Sequence, residues 1–245
     1  MNRFIIFSAG YNCGKYIYNN IKSVDNQTYK NYIHIVIDDA STDNTFDTAM
    51  LNMGNRRFVF RNKENQKWIY NAIKYLDSFI ENEEDIIITL DLDDWLSNNN
   101  VLEIINNTYE QKKCWMTYSL FVYTSNGAIS SWIRPYTEFD YMGRNYRKNL
   151  WSFTHLRSFK AFLWDNLNKD DLKDQYGNYF KSCYDRAIFY PMLEMSSPSK
   201  IEFINQVLYV YNDLNPLQVE KINRNKQEQI KDYIDNKPKY KRLYR

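Results

Sequence analysis

Two stretches of this 245-residue chain constrain its fold most: "IVIDDASTDNT" at 35–45 and "IIITLDLDDW" at 86–95. Each is a short, nearly unbroken apolar run that closes on crowded carboxylates. An uninterrupted apolar run of this length fits a strand covered on both faces. Like charges at the end of such a strand repel one another and resist burial. A parallel sheet reconciles the two demands, because strand ends of one polarity share an edge where water or ligand can enter.

The rest of the chain agrees. "RFIIFSA" (3–9), "YIHIVIDD" (32–39), "RFVFRN" (57–62) and "DIIITLDL" (85–92) read as strands. Helical spacing fills the gaps, in "GKYIYNNIKSV" (14–24), "TDNTFDTAMLNM" (42–53), "KWIYNAIKYLDSFI" (67–80) and "NVLEIINNTY" (100–109). This alternation predicts an α/β fold with a mostly parallel sheet flanked by helices. After about residue 112 the order changes. Residues 114–133 are expected to form a hairpin around Asn126-Gly127. Residues 155–167 and 184–195 are expected to be helical, and 200–212 to form one or two late strands. No Gly-, Ser- or Pro-rich linker interrupts the chain. We therefore expect one domain with a ligand-binding half at 1–112, a smaller mixed half at 113–215 and a basic helix or tail at 216–245.

Composition excludes several classes. A net charge of +2 gives no electrostatic case for nucleic acid. Cys13, Cys114 and Cys183 lack metal-ligand spacing and are odd in number, which points to a reducing compartment. The first apolar run is too short for a signal peptide, and no run approaches the ~20 residues that span a bilayer. A cytoplasmic protein is expected.

Asp38 and Asp39 end one strand, and Asp91, Asp93 and Asp94 end another. Hard oxygen ligands in this arrangement suit Mg²⁺ or Mn²⁺, which also bind a substrate's phosphates. The alternative is helix capping, which fits Asp43 and competes evenly for Asp38. Capping alone does not account for three carboxylates within residues 91–94.

These motifs resemble those of the family 2 group of GT-A glycosyltransferases. "FSAGYNCGKYIYNNIKSVDNQTYKNYIHIVIDDASTDNT" is similar to the family's opening, and "TLDLDDWL" to its Asp-x-Asp region. The resemblance is close over 3–110 and looser over 150–212, where "SCYDRAIF" stands in place of a late acidic base. It implies a GT-A fold with a smaller acceptor-side region. It also implies transfer of a hexose from a nucleotide diphosphate sugar, a UDP-sugar first, to a glycan or glycosylated protein. By the resemblance, Ser8, Ala9 and Tyr11 lie near the base, Asp39 hydrogen-bonds it and Asn65 walls it. Asp91 and Asp93 form the Asp-x-Asp pair, and Asp93 or Asp94 ligates Mn²⁺ or Mg²⁺. Asp185 matches the general base of inverting members. The chain departs from the pattern at Lys67, where the family has Gly, and at Tyr70, where it has Arg.

Other residues carry open readings. Asp185 also fits a helix N-cap. His155 fits a further metal ligand, a phosphate contact or a structural histidine. Arg157 fits a phosphate contact or a carboxylate partner. His34 reads as a core residue and Glu194 as a paired internal carboxylate. Trp95, Trp132, Trp151 and Trp164 are candidates for stacking on an acceptor sugar. Residues 237–245 carry five basic side chains and no acid, which fits a solvated end or contact with an anionic membrane surface. Two other classes remain: a nucleotidyltransferase acting on sugar phosphates, with "SAGYNCGKY" as its phosphate loop, and a non-catalytic nucleotide-sugar-binding relative.

Overall fold

The computed structural model describes residues 1–141, 146–148, 151–217 and 224–245. The first half alternates as the apolar pattern requires: β1 (Phe4–Gly10), α1 (Ile17–Asp25), β2 (Tyr32–Asp38), α2 (Thr45–Leu51), β3 (Arg57–Arg61), α3 (Lys67–Tyr75) and β4 (Ile86–Thr89). Phe4, Ile5, Ile6 and Phe7 are fully buried, so β1 is covered on both faces. It pairs in parallel with β2, from Phe4↔Tyr32 to Gly10↔Asp38, and with β4 on its other side. Helices α1 and α3 bury Ile17, Ile21 and Val24, and Trp68, Ile69 and Ala72, respectively.

The second half contributes β5 (Trp95–Leu96), α4 (Val101–Lys112), β6 (Met116–Tyr123), α5 (Glu138–Tyr141), β7 (Arg157–Lys160), α6 (Ala161–Asp165), α7 (Tyr184–Met195), β8 (Ile201–Tyr211) and α8 (Arg224–Asp235). One sheet of eight strands runs through both halves in the order β3-β2-β1-β4-β7-β6-β8-β5. The first four strands are parallel, and β7 is antiparallel to both β4 and β6.

Two expectations for the second half are corrected. Residues 155–167 are not one helix: Arg157–Lys160 is a strand and only Ala161–Asp165 is α-helical. The edge of β4 offers unpaired backbone groups, and pairing from Ile86↔Lys160 to Thr89↔Arg157 satisfies them. That tertiary gain overrides a helical spacing. The Asn126-Gly127 turn does form, with Gly127 at φ +69°. Its return arm makes only an isolated bridge, Val122↔Ile129, while β6 pairs along its length with β8 and at Met116–Thr117 with β7.

The basic end is corrected as well. It is not a free tail over its described residues. Arg147 and Glu194 form a buried bidentate ion pair, with Nε–Oε1 at 2.7 Å and Nη2–Oε2 at 2.8 Å. Arg147 Nη1 also donates to the carbonyls of Ile234 and Lys237, and Glu194 Oε2 accepts from Tyr240 N. Tyr240 reaches Asp171, and Leu243 N reaches Met195 O. The paired internal carboxylate expected at Glu194 is therefore what fastens the end of the chain to α7. Residues 218–223, within the expected 216–245 segment, lie outside the described residues.

Removing one member of a buried pair leaves an uncompensated charge. Glu194→Ala is expected to lower unfolding stability by about 3–5 kcal/mol in urea. The double change Arg147→Met/Glu194→Leu should cost clearly less. Equal losses would show that the charge pairing is not what matters.

Candidate active site

The parallel half places its strand ends together. β1 ends at Gly10, β2 at Asp38 and β4 at Thr89, and the strand order reverses direction between β1 and β4. Open α/β sheets bind ligands at such a switch point. A cleft of about 470 Å³ lies there. Gly10 lets the acidic loop close over β1: a Cβ at this position would stand 2.6 Å from Leu92 Cβ and 2.7 Å from Cys13 Sγ.

The two carboxylates after β2 divide their work. Asp38 is fully buried, accepts from Ser41 N at 3.0 Å and pairs with Arg61 Nε at 3.0 Å, so it builds the turn. Asp39 lines the cleft and crosses to the start of α3. It accepts from Asn62 Nδ2 at 2.8 Å, Gln66 N at 3.0 Å and Lys67 N at 2.8 Å. A carboxylate there also complements the positive end of the helix. Lys67 has φ +68°, a conformation that favours glycine, and Asp39 holds its amide in place. Asn65 lines the same wall, and its Oδ1 is buried without a partner.

Ala9 and Tyr11 line the cleft as expected. Ser8 does not. It is fully buried inside β1 and its Oγ meets His34 Nε2 at 3.0 Å, so the expectation that it lies near a base is corrected. The same contact bears out His34 as a core residue.

The three carboxylates after β4 also separate. Asp91 lines the cleft and takes the Tyr184 hydroxyl on both oxygens, at 2.8 and 2.9 Å. Burial and the neighbouring Asp93 push its carboxyl up to about 6, with the Tyr184 bond pulling the other way. Asp93 lines the cleft, accepts from Asn215 Nδ2 at 2.7 Å and is raised by burial. Asp94 lines the cleft at 1% exposure. Its Oδ2 accepts from Tyr209 of β8 at 2.5 Å and its Oδ1 from the amide of Asn212, just after β8, at 2.7 Å.

His155 stacks on Tyr209 at 4.5 Å and 14°, and on Tyr211 at 5.6 Å and 19°. Burial, with Arg157 nearby, holds its imidazole neutral, well below the usual histidine range. Among the described residues no three His, Cys, Asp or Glu side chains converge as a metal cage, so Asp93, Asp94 and His155 are not assembled as a ligand trio. The donors at Asp91 and Asp93 still fit a hard divalent cation. A bound cation would relieve their mutual repulsion, and such ions take one or two carboxylates and complete their shell with substrate phosphates and water.

Asp185 lines the cleft from the first turn of α7, next to Tyr184, whose hydroxyl binds Asp91. It is not the N-cap: that position is Cys183, which makes no side-chain capping bond. Arg157 Nη2 lies 3.8 Å from Asp185 Oδ2, so Arg157 takes the carboxylate-partner reading. Of the four tryptophans singled out, only Trp151 lines the cleft. Trp164 is fully buried with its Nε1 on Asp77.

Sequence reasoning missed two features. Trp68 and Tyr184 stack at 4.5 Å and 8°, joining α3 to α7. Gln227, Glu228 and Lys231 of α8 wall the outer cleft. Tyr184 carried a signal, since it directly precedes the candidate base Asp185 in "SCYDRAIF". The α8 residues carried none.

The turn after β1 is not a phosphate loop. Its amides at Asn12, Cys13 and Gly14 already donate to Ser41 Oγ, Thr45 Oγ1 and Asp43 Oδ2. This removes the basis for a nucleotidyltransferase.

The family model for Glycosyl transferase family 2 matches residues 6–168, about two thirds of the chain. The chain belongs to glycosyl transferase family 2. Solved structures share the GT-A fold of this family 2 chain. S. aureus TarS superposes with a TM-score of 0.63 at 18% identity, covering 95% of this chain and 42% of TarS. TarS 1–349 in complex with UDP-GlcNAc gives 0.62 at 16% identity, covering 86% and 58%. The mannosyltransferase PcManGT from Pyrobaculum calidifontis, in complex with GDP-Man and Mn²⁺, gives 0.56 at 14% identity, covering 85% and 56%. The chain thus spans about half the length of these structures. No curated protein matches it by sequence. Among the described residues no helix is long and apolar enough to cross a membrane.

An unfolded Asp titrates near ~3.9, whereas Asp91 in the fold holds its proton to about 6. The folded state therefore binds more protons across that window, and stability falls as pH rises through it. Metal-free Asp91→Asn should melt above the wild type at pH ~7.5, with the gain vanishing near pH ~4. An Asn advantage of equal size at both pH values would refute this account.

Proposed function

We propose that the chain transfers a hexose from a nucleoside diphosphate sugar, a UDP-sugar first, to a hydroxyl on a glycan or glycosylated protein. The observation that carries this reading is that one cleft gathers a base wall (Asp39, Asn65), an acid pair (Asp91, Asp93) and a separate carboxylate, Asp185 of α7. TarS holding UDP-GlcNAc and PcManGT holding GDP-Man with Mn²⁺ support a nucleotide-sugar donor.

Each residue has a derived task. Asp39 holds the 65–67 turn by its backbone bonds. Asp39, expected to hydrogen-bond the base, is engaged by these bonds and by Asn62, so the base contact is assigned instead to the unpartnered Asn65 Oδ1, as acceptor for the imide N–H of uracil. Neutral cytosine lacks that donor. Asp93, with Asp91 beside it, would hold Mn²⁺ or Mg²⁺, which when bound neutralises charge growing on the leaving diphosphate. Tyr184 fixes Asp91 by its two hydrogen bonds. The Trp68–Tyr184 stack keeps water from the floor of the cleft.

Asp185 is the general base. The acceptor oxygen bonds to the anomeric carbon, its proton passes to the Asp185 carboxylate, and the electron pair of the broken bond leaves on the diphosphate. A single displacement of this kind inverts the anomeric centre.

Transfer is expected to stop in excess EDTA and to return with Mn²⁺. Asp93→Asn should lose most of the rate. Asp185→Asn should cut transfer by about 10²–10⁴-fold while UDP affinity and melting temperature stay near wild type. Calorimetry should show UDP bound more tightly than GDP, with Asn65→Ala weakening UDP. A near-wild-type rate in Asp185→Asn, or a clear preference for GDP, would overturn the corresponding assignment.

A further inference from the structure

Arg157 is 3% exposed, yet its guanidinium makes one hydrogen bond, from Nε to Phe153 O at 3.0 Å. Nη2 stands 3.8 Å from Asp185, beyond hydrogen-bond reach, and Nη1 is buried without any partner. A guanidinium has five N–H donors, and leaving most of them dry and unbonded is unfavourable. The side chain lines the cleft, so a ligand can supply what the protein does not. Its planar fork matches a carboxylate or a phosphate group.

The position says which ligand. Arg157 opens β7 and pairs with Thr89 of β4, on the side of β4 away from β1 and the base wall. It stands beside Asp185, where the accepting hydroxyl has to arrive. Lys181, Arg186 and Lys231 also line the cleft. The acids here are Asp185, Asp91 and Glu228. Tyr184 engages Asp91, and Asp185 aligns one edge of the guanidinium, leaving Nη1 without a partner. We propose that Arg157 anchors an anion subsite on the acceptor side, so that the acceptor glycan carries a carboxylate or phosphate close to the hydroxyl that is glycosylated. The proposal rests on Asp185 marking the acceptor side.

The test is an equilibrium titration of the metal-free protein, read by the fluorescence of Trp68 and Trp151. Glucuronate and glucose 6-phosphate are expected to bind, and glucose is not. Arg157→Gln should weaken both anionic sugars by roughly ten- to hundredfold. Arg157→Lys, a point charge without the fork, should weaken them less. UDP with Mn²⁺ should leave their affinity unchanged. Equal binding by Arg157→Gln, or glucose binding as tightly as glucuronate, would overturn the proposal. So would displacement of the anionic sugars by UDP with Mn²⁺, which would hand Arg157 to the donor's phosphates. Should Arg157→Gln fail to fold, the Lys variant and the UDP competition decide. The first titration contains no nucleotide, so a failure to bind UDP overturns the proposed function without altering this result.

Discussion

The parallel pairing of β1 with β2 and β4 is the constraint on which the site depends. Hydrogen bonds on both sides of β1 leave it no free edge, and its register fixes where each neighbour ends. Gly10 lies opposite Asp38, and the chain after Thr89 rises beside it. A slip of one residue would turn every side chain to the other face of the sheet. It would also shift the acid-bearing strand ends relative to one another, so that Asp38 no longer stood opposite Gly10. Apolar burial along the strands therefore sets the positions of charges that contribute nothing to that burial.

The first half was legible because its signals are local. Unbroken apolar runs, helical spacing and acids at strand ends each lie within a dozen residues, and they place Asp39, Asp91 and Asp93 correctly on one edge. The assignments that failed depended on partners far away in sequence. Ser8 looks like Ala9 until His34 claims it. Residues 157–160 carry a helical spacing, and only the open edge of β4 makes them a strand.

The outer half of the cleft is assembled differently. Its walls come from α7 and α8, beyond residue 168 where the family model stops. They are fastened by side chains: the Trp68–Tyr184 stack, Tyr184 on Asp91, and the Arg147–Glu194 pair that receives the carbonyls at 234 and 237. Such contacts have no period and leave no pattern to read. They also permit variation, since a wall held by a few side chains can change its face while the sheet edge stays the same.

The burial of Asp94 limits how such a chain can be taken apart. Burial, with Asp93 and Asp91 beside it, raises its carboxyl well above the usual range, and Tyr209 and Asn212 on the far side of the sequence make its burial tolerable. The boundary near residue 112 is thus a seam in sequence and not in stability. A chimera joining the first half of one relative to the second half of another would keep the backbone donor at 212, which any residue but proline supplies, but would leave Asp94 short of a partner unless a hydroxyl came with position 209. Recombination within this fold is expected to carry positions 94 and 209 together, even though Tyr209 is not among the residues that line the cleft.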